Sequence, residues 1–309
     1  MTTHRSPLPL SHFLTFPLSL FLLLFAGCAP GSREVVVYAS QDQVYAEPIL
    51  QEFSRSTGIK VRAVYDSEAV KTVGLVNRLR AEKSNPQCDV FWNNEALRTH
   101  QLDERGVLEK WAAFGYRSRR IVINTNLVSL DKIPASLSAL TNSAWRGKVA
   151  LAYPLFGSTA THFLALRQHW DTERWEAWCR ALHANKPFLL DGNSVVVKFV
   201  GRGEAWLGLT DSDDIAAGQR EGLPIAGLPL TDESVLIPNT IAIVRGTRNP
   251  AAAAELFRYL QEPSVVERLV ALHALEGSTA TAGMPVKWPH LLRDLDAATA
   301  TLREIFVRQ

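Results

Sequence analysis

Short apolar runs alternate with amphipathic ones along most of this chain. "EVVVYA" (34–39) predicts a buried strand. "AEPILQEFSRSTG" predicts a helix with Ile49, Leu50 and Phe53 on one face and Gly58 as its stop. "KVRAVY" alternates and predicts a second strand, and "SEAVKTVGLVNRLRAEK" puts Val70, Val73, Val76 and Leu79 on one helical stripe. "CDVFWN" is a short strand ending in Asn93 and Asn94; "RRIVINTN", "GKVALAYP", "AWLGLTD" and "NTIAIVRG" are further strands. Helices are predicted over "THFLALRQHW", "TERWEAWCRALHAN" and "NSVVVKFVGRG", the second with Trp175, Trp178, Cys179 and Leu182 on one core-packing face. "NPAAAAELFRYLQEP" opens with Asn249 as cap and Pro250 at the first helical position, and a last helix runs over 291–306.

This alternation predicts α/β layers with mixed, mostly parallel sheets flanked by helices. Ligands of such sheets bind beyond the carboxyl ends of strands, where helix N-termini gather. Polar clusters fall at those ends: "YASQDQ", "YDSEA", "WNNEA", "YPLFGSTAT", "DGNSV" and "TDSDD". No internal repeat or low-complexity segment follows the N-terminal region.

That region changes the picture of where the protein works. His4 and Arg5 precede an apolar stretch from about Phe13 to Phe25, then small residues and Cys28. The layout is that of a signal peptide over residues 1–27. Its apolar run is roughly 13 residues, against about 20 for a spanning helix. "LFAGC" resembles the lipobox of bacterial lipoproteins, with Phe25 where that pattern usually has Leu. Lipidation of Cys28 and a tether to a membrane surface are therefore expected, with plain cleavage and secretion as the alternative. About 280 residues remain, enough for two lobes of domain size.

Composition excludes more than it selects. Hydrophobic residues make up 47%, charged ones 21%, and the formal charge is +2, so no strongly basic surface points to nucleic acid. Cys88 and Cys179 either form one disulfide or stand as two buried thiols, and the cysteine spacing offers no zinc site. The G-x-S-x-G, Walker, G-x-G-x-x-G and H-E-x-x-H patterns do not occur.

Candidate chemistry concentrates in the polar clusters. Gly157, Ser158, Thr159 and Thr161 offer hydroxyls and amides where a helix begins, which suits an anion; plain N-capping by Ser158 or Thr159 is the other reading. Asn193 or Ser194 caps the next helix, with its amides free for a ligand. Arg117 and Arg119 read by default as a solvated basic turn, and alternatively as a fork onto an anion. His162 beside the anion loop reads as a satisfied helix histidine before it reads as a ligand. Asp211, Asp213 and Asp214 form either a solvated turn capping the next helix or a set of oxygens for a hard cation or for an amine. They do not form an EF-hand loop, because Ile215 holds the fifth ligand position.

The order of "VVVYASQDQVYAEPILQEFSRSTGIKVRAVY", "CDVFWNNEA", "GYRSRRIVINT", "GSTATHFLAL", "NSVVVKFVGRGEAWLGLTDSDD" and "IPNTIAIVRGTRNPAAAAELFRYL" resembles the periplasmic ferric-iron-binding proteins, the extracellular solute-binding components of ABC importers. The resemblance runs from about residue 34 to about 275. It implies a two-lobed periplasmic-binding-protein fold of type II with hinge strands. The lobes would be 34–118, 119–237, and a return over 238–309 that includes the C-terminal helices.

It further implies a non-enzymatic monomer that captures a small charged solute for a permease and ATPase. The solute implied first is Fe³⁺ or another hard cation with carbonate or phosphate; a small organic anion such as an aminophosphonate is the alternative. A metal-dependent hydrolase is a remote third reading, since no base-and-ligand pattern supports it. Ser40, Asp42, Glu95, Arg117, Gly157, Ser158, Thr159, Asn193, Asp211, Ser212 and Asp213 become the expected ligand contacts. Asp42, Glu95, Asp211 and Asp213 are the candidate metal ligands. One departure stands out: where ferric binders carry adjacent tyrosines this chain has Ser212 and Asp213, and it has no adjacent tyrosine pair anywhere.

Overall fold

The computed structural model describes residues 33–65, 71–229, 231–279 and 283–307. The signal segment and Cys28 lie outside the described residues, as does Val70. Among the described residues no helix is long and apolar enough to cross a membrane.

The predicted elements form in the predicted order. Strand β1 (Glu34–Ala39) is followed by helix α1 (Gln43–Thr57), β2 (Lys60–Tyr65), α2 (Lys71–Ala81) and β3 (Val90–Asn93). Helix α1 buries Ile49, Leu50 and Phe53 and stops at Gly58, whose φ of 70° suits a residue without a Cβ. Helix α3 (Ala96–Glu104) leads to the long strand β4 (Leu108–Asn124). Then come β5 (Val149–Ala152), α4 (Gly157–Trp170), α5 (Thr172–Ala184), β6 (Phe188–Leu190) and α6 (Asn193–Gly201). The chain continues through β7 (Leu207–Asp211), α7 (Ser212–Arg220), β8 (Ile225–Gly227) and β9 (Leu236–Val244), and closes with α8 (Pro250–Tyr259), α9 (Pro263–Ala271) and α10 (Trp288–Phe306).

Strand order is β2-β1-β3-β9-β4-β7-β5-β6, with β8 also on β4. Pairs within β1–β3 and within β5–β7 are parallel; β9 and β4 pair antiparallel to their neighbours. Strand β4 pairs with β9 from Leu108 to Ser118, then with β7 from Arg119 to Ile123. One strand thus belongs to both halves of the sheet. One core gathers Ile49, Phe53, Val90, Trp92 and Leu256; another gathers Phe163, Trp175, Trp178, Leu207 and Phe306. Each such buried side chain contributes about 1.5–3 kcal/mol.

Three details depart from the sequence reading. Strand β4 begins eleven positions before "RRIVINTN", because bulges between Leu108 and Lys110 and between Ala113 and Tyr116 break its alternation. Gly115 in the second bulge has φ 129°, and a Cβ there would lie 2.6 Å from Leu275. Helix α10 starts at Trp288 and packs on α4 and α5, as Phe306 against Phe163 illustrates. Asn249 holds the cap position of α8 but makes no capping bond; its amide donates to Asp89 at 3.0 Å.

Cys88 and Cys179 are free, buried and set in different cores. The disulfide reading is therefore overturned in favour of two thiols, and burial pushes both thiols up.

Candidate functional site

The register of β4 against β7 places Arg119 opposite Asp211. Arg117, two positions earlier, points from the same side of the strand. Asp211 is the last residue of β7 and is 1% exposed. Arg119 Nη1 donates to its Oδ1 at 2.7 Å, and Arg117 Nε and Nη2 reach its Oδ2 at 3.1 and 3.0 Å. Burial alone would raise this carboxyl, but the two guanidinium groups and Ser158 outweigh it and hold it at about 2. Burial would lower Arg117, but Asp213, followed by Asp211 and Asp214, outweighs it and holds the guanidinium above its ordinary value.

Three helices begin at this carboxylate. Helix α4 starts at Gly157, whose φ of 55° lies in the left-handed region. Helices α6 and α7 start at Asn193 and Ser212. Their first amides have no carbonyl partner within the helix, and their positive ends favour negative charge.

The capping expectations fail here for one reason. Phe156 and Gly192, not Ser158, Thr159, Asn193 or Ser194, occupy the cap positions. The polar side chains are drawn to the buried charges instead. Ser158 Oγ donates to Asp211 Oδ2 at 2.6 Å, and Thr159 Oγ1 to Asn193 Oδ1 at 3.2 Å. Asn193 also accepts from Arg119 at 2.9 Å and donates to Ser158 at 3.0 Å and to Asp211 at 3.2 Å.

Nor is either charge cluster a solvated turn. Arg117 and Arg119 are 3% and 1% exposed, and Asp213 and Asp214 are 3% and 9% exposed. A lone buried charge is so unfavourable that each sign recruits the other.

Asp213 Oδ1 lies 3.5 Å from Arg117 Nε, near enough for an ion pair but not for a hydrogen bond. Burial pushes Asp213 up to about 7; Arg117 opposes this, while Asp211 and Asp42 add to it. Ligand oxygens of Asp211, Asp213 and Asp214 lie within 4.8 Å of one another. Asp42 and Asp214 line one pocket of about 250 Å³ with Tyr45, Ser194, Lys198 and Glu221. Tyr45 OH accepts from Arg220 Nη2 at 2.7 Å, and burial, followed by Asp213, raises its hydroxyl.

The remaining expected residues have other engagements. Ser40 Oγ donates to Asn93 Oδ1 at 2.7 Å and ties β1 to β3. Glu95 caps α3 by accepting from Arg98 N at 3.1 Å, and it also accepts from Thr161 Oγ1 at 3.2 Å. Burial raises its carboxyl, with Arg98 opposing. Glu95 is not among the clustered aspartates. Ser212 Oγ accepts from Ser118 N at 3.3 Å. His162 Nε2 is 2.8 Å from the Glu233 carbonyl. Half of the satisfied-histidine reading therefore holds, since its Nδ1 has no partner.

Two residues escaped the sequence reading of the site. Arg119 was paired with Arg117 in the basic stretch but left out of the expected contacts. Glu276, which pairs with Arg120 at 3.2 Å, carried no signal, because the two lie 156 positions apart.

Residues 34–271 match the profile of the bacterial extracellular solute-binding proteins. The chain belongs to that family. This solute-binding protein is 22% identical over 284 residues to the major ferric iron-binding protein of Neisseria gonorrhoeae, covering 83% of this chain and 84% of that one. Iron-bound HitA from Pseudomonas aeruginosa superposes with a TM-score of 0.77 at 17% identity, over 88% of this chain and 99% of that one. AfuA from Actinobacillus pleuropneumoniae, with exogenous fructose-6-phosphate bound, superposes at 0.76 and 17% identity, over 89% and 99%. The likeness establishes the two-lobed α/β fold of periplasmic binding proteins.

Proposed function

We propose that this protein is the substrate-binding component of an ABC importer. It takes a small organic solute through an acid group and hands it on chemically unchanged. The observation that carries this reading is the state of Asp211. Both its oxygens are occupied by Arg117 and Arg119, while Arg117 Nη1 is buried without a partner. A cation bound at Asp211 would sit against two guanidinium groups. An acid group would instead receive Arg117 and the first-turn amides at Gly157, Ser158 and Thr159. Asp42, Asp213 and Asp214 would receive an amine or hydroxyls at the other end, and an aminophosphonate fits this description.

We take the lobes to change over at 118/119, the point at which β4 leaves β9 for β7, and again at 237/238. Arg117, in the first lobe, and Asp211, in the second, then meet between them. Cys28 carries the lipid that keeps the protein at a membrane surface, and the protein works as a monomer.

A second reading keeps the role and takes Fe³⁺ with a synergistic anion. The clustered aspartate oxygens and the name of the gonococcal relative favour it. The chain brings no adjacent tyrosines to such a site, and Tyr45 is held by Arg220. Native mass spectrometry of protein purified without added ligand separates the two. A bound organic acid without metal is expected; one equivalent of iron would overturn the first reading.

A further inference from the structure

Arg119 is only half used by the cluster around Asp211. Its Nη1 serves Asp211, Asn193 and Ser158, while Nε and Nη2 have no partner. Those two atoms form the side-on edge of the guanidinium, which takes both oxygens of one acid group in parallel. The side chain is fully buried, so the edge does not face open solvent.

Arg119 lines a cavity of about 220 Å³ whose walls include Leu137, Leu209, Leu228 and His162. The Glu233 carbonyl can only accept, so His162 carries its proton on Nε2 and presents a bare lone pair at Nδ1. Nδ1 is buried and unpartnered. Burial, helped by Arg119, holds His162 neutral down to about 3, which keeps that lone pair available. The Glu233 carboxylate at the same cavity already accepts from Leu137 N at 2.6 Å.

The cavity wall therefore includes one residue with an unused double donor and one with an unused acceptor, beside apolar side chains. A plain carboxylate would answer Arg119 and leave Nδ1 without a donor. An alcohol would answer Nδ1 and leave the fork open. A phosphate monoester dianion has no proton to donate and would set further lone pairs against Nδ1. We propose that this cavity is a second ligand site that takes a short 2-hydroxycarboxylate. The carboxylate sits on the Nε–Nη2 edge of Arg119, the hydroxyl donates to His162 Nδ1, and the carbon chain lies against Leu137, Leu209 and Leu228. The site shares Arg119 with the Asp211 cluster but uses the Nε–Nη2 edge, which that cluster leaves without a partner.

The test compares lactate with propanoate, which lacks the hydroxyl, by titration calorimetry on the mature protein. Lactate is expected to bind about five- to tenfold tighter, the worth of one buried hydrogen bond. Leu228→Phe fills the cavity and should abolish binding of both. His162→Leu should leave binding but remove the preference for lactate. A crystal structure of the wild type grown with lactate should place it between Arg119 and His162, and this arm holds even if a variant fails to fold. Water alone in the cavity under those conditions would overturn the proposal. A lactate preference that survives Leu228→Phe would overturn it as well, by locating the anion elsewhere.

Discussion

Arg119 and Asp211 face each other across the β4–β7 ladder and are joined at 2.7 Å with both side chains shut off from solvent. Arg117 completes a triad in which one carboxylate answers two guanidinium groups. Removing the carboxylate takes the paired charge from Arg119 and leaves Arg117 with Asp213 at 3.5 Å. Asp211→Asn should therefore cost about 3–5 kcal/mol of folding stability. Urea unfolding monitored by circular dichroism measures this, and a loss under about 1 kcal/mol, the scale of an exposed pair, would contradict the triad's role.

Asp213 makes stability depend on pH. Its carboxyl is pushed up to about 7 from an ordinary 3.8, so the folded state holds a proton that the unfolded state gives up between those values. Stability should fall as pH rises from about 4 through about 7. Acid-group binding next to Arg117 should weaken over the upper part of that range, as Asp213 becomes charged. Asp213→Asn should flatten both curves in thermal melts and calorimetric titrations taken at a series of pH values.

Tyr45 on α1 and Arg220 on α7 meet at 2.7 Å beside the pocket shared by Asp42 and Asp214. In the proposed lobe assignment this contact forms only when the lobes close. Arg220→Ala should speed solute release by about two- to tenfold, the range of one hydrogen bond, with little effect on the melting temperature. Stopped-flow displacement reads the rate, and an unchanged rate would remove the contact from the closing interface.

Cys28→Ala should move the protein from the membrane fraction to the soluble fraction after cell lysis. Continued sedimentation with membranes would point to a different anchor.

The fold was legible because its strands and helices differ in period. The Trp175–Trp178–Leu182 stripe and the Asn249–Pro250 helix start both speak locally. Strand β4 was half hidden, since its bulges at Leu108 and Ala113 interrupt the alternation on which reading depends. The site was legible only as a set of strand ends. Ser158, Thr159 and Asn193 carry a strong capping signal. Only the burial of Arg117, Arg119 and Asp211, a property of the assembled sheet, turns those side chains toward one another. Glu95 is a candidate metal ligand only by the resemblance, and what the sequence does not show is that the amide of Arg98 and the hydroxyl of Thr161 both donate to it.

The place where β4 changes partners, at Ser118 and Arg119, falls within the very stretch that carries the two arginines. In the proposed lobe assignment, recognition is built into the axle and not onto the rim. Whatever neutralises Arg117 would then also act on the backbone about which the two lobes would swing. A guest seated there would register as torsion in a single strand, without any relay of side chains to carry the message outward.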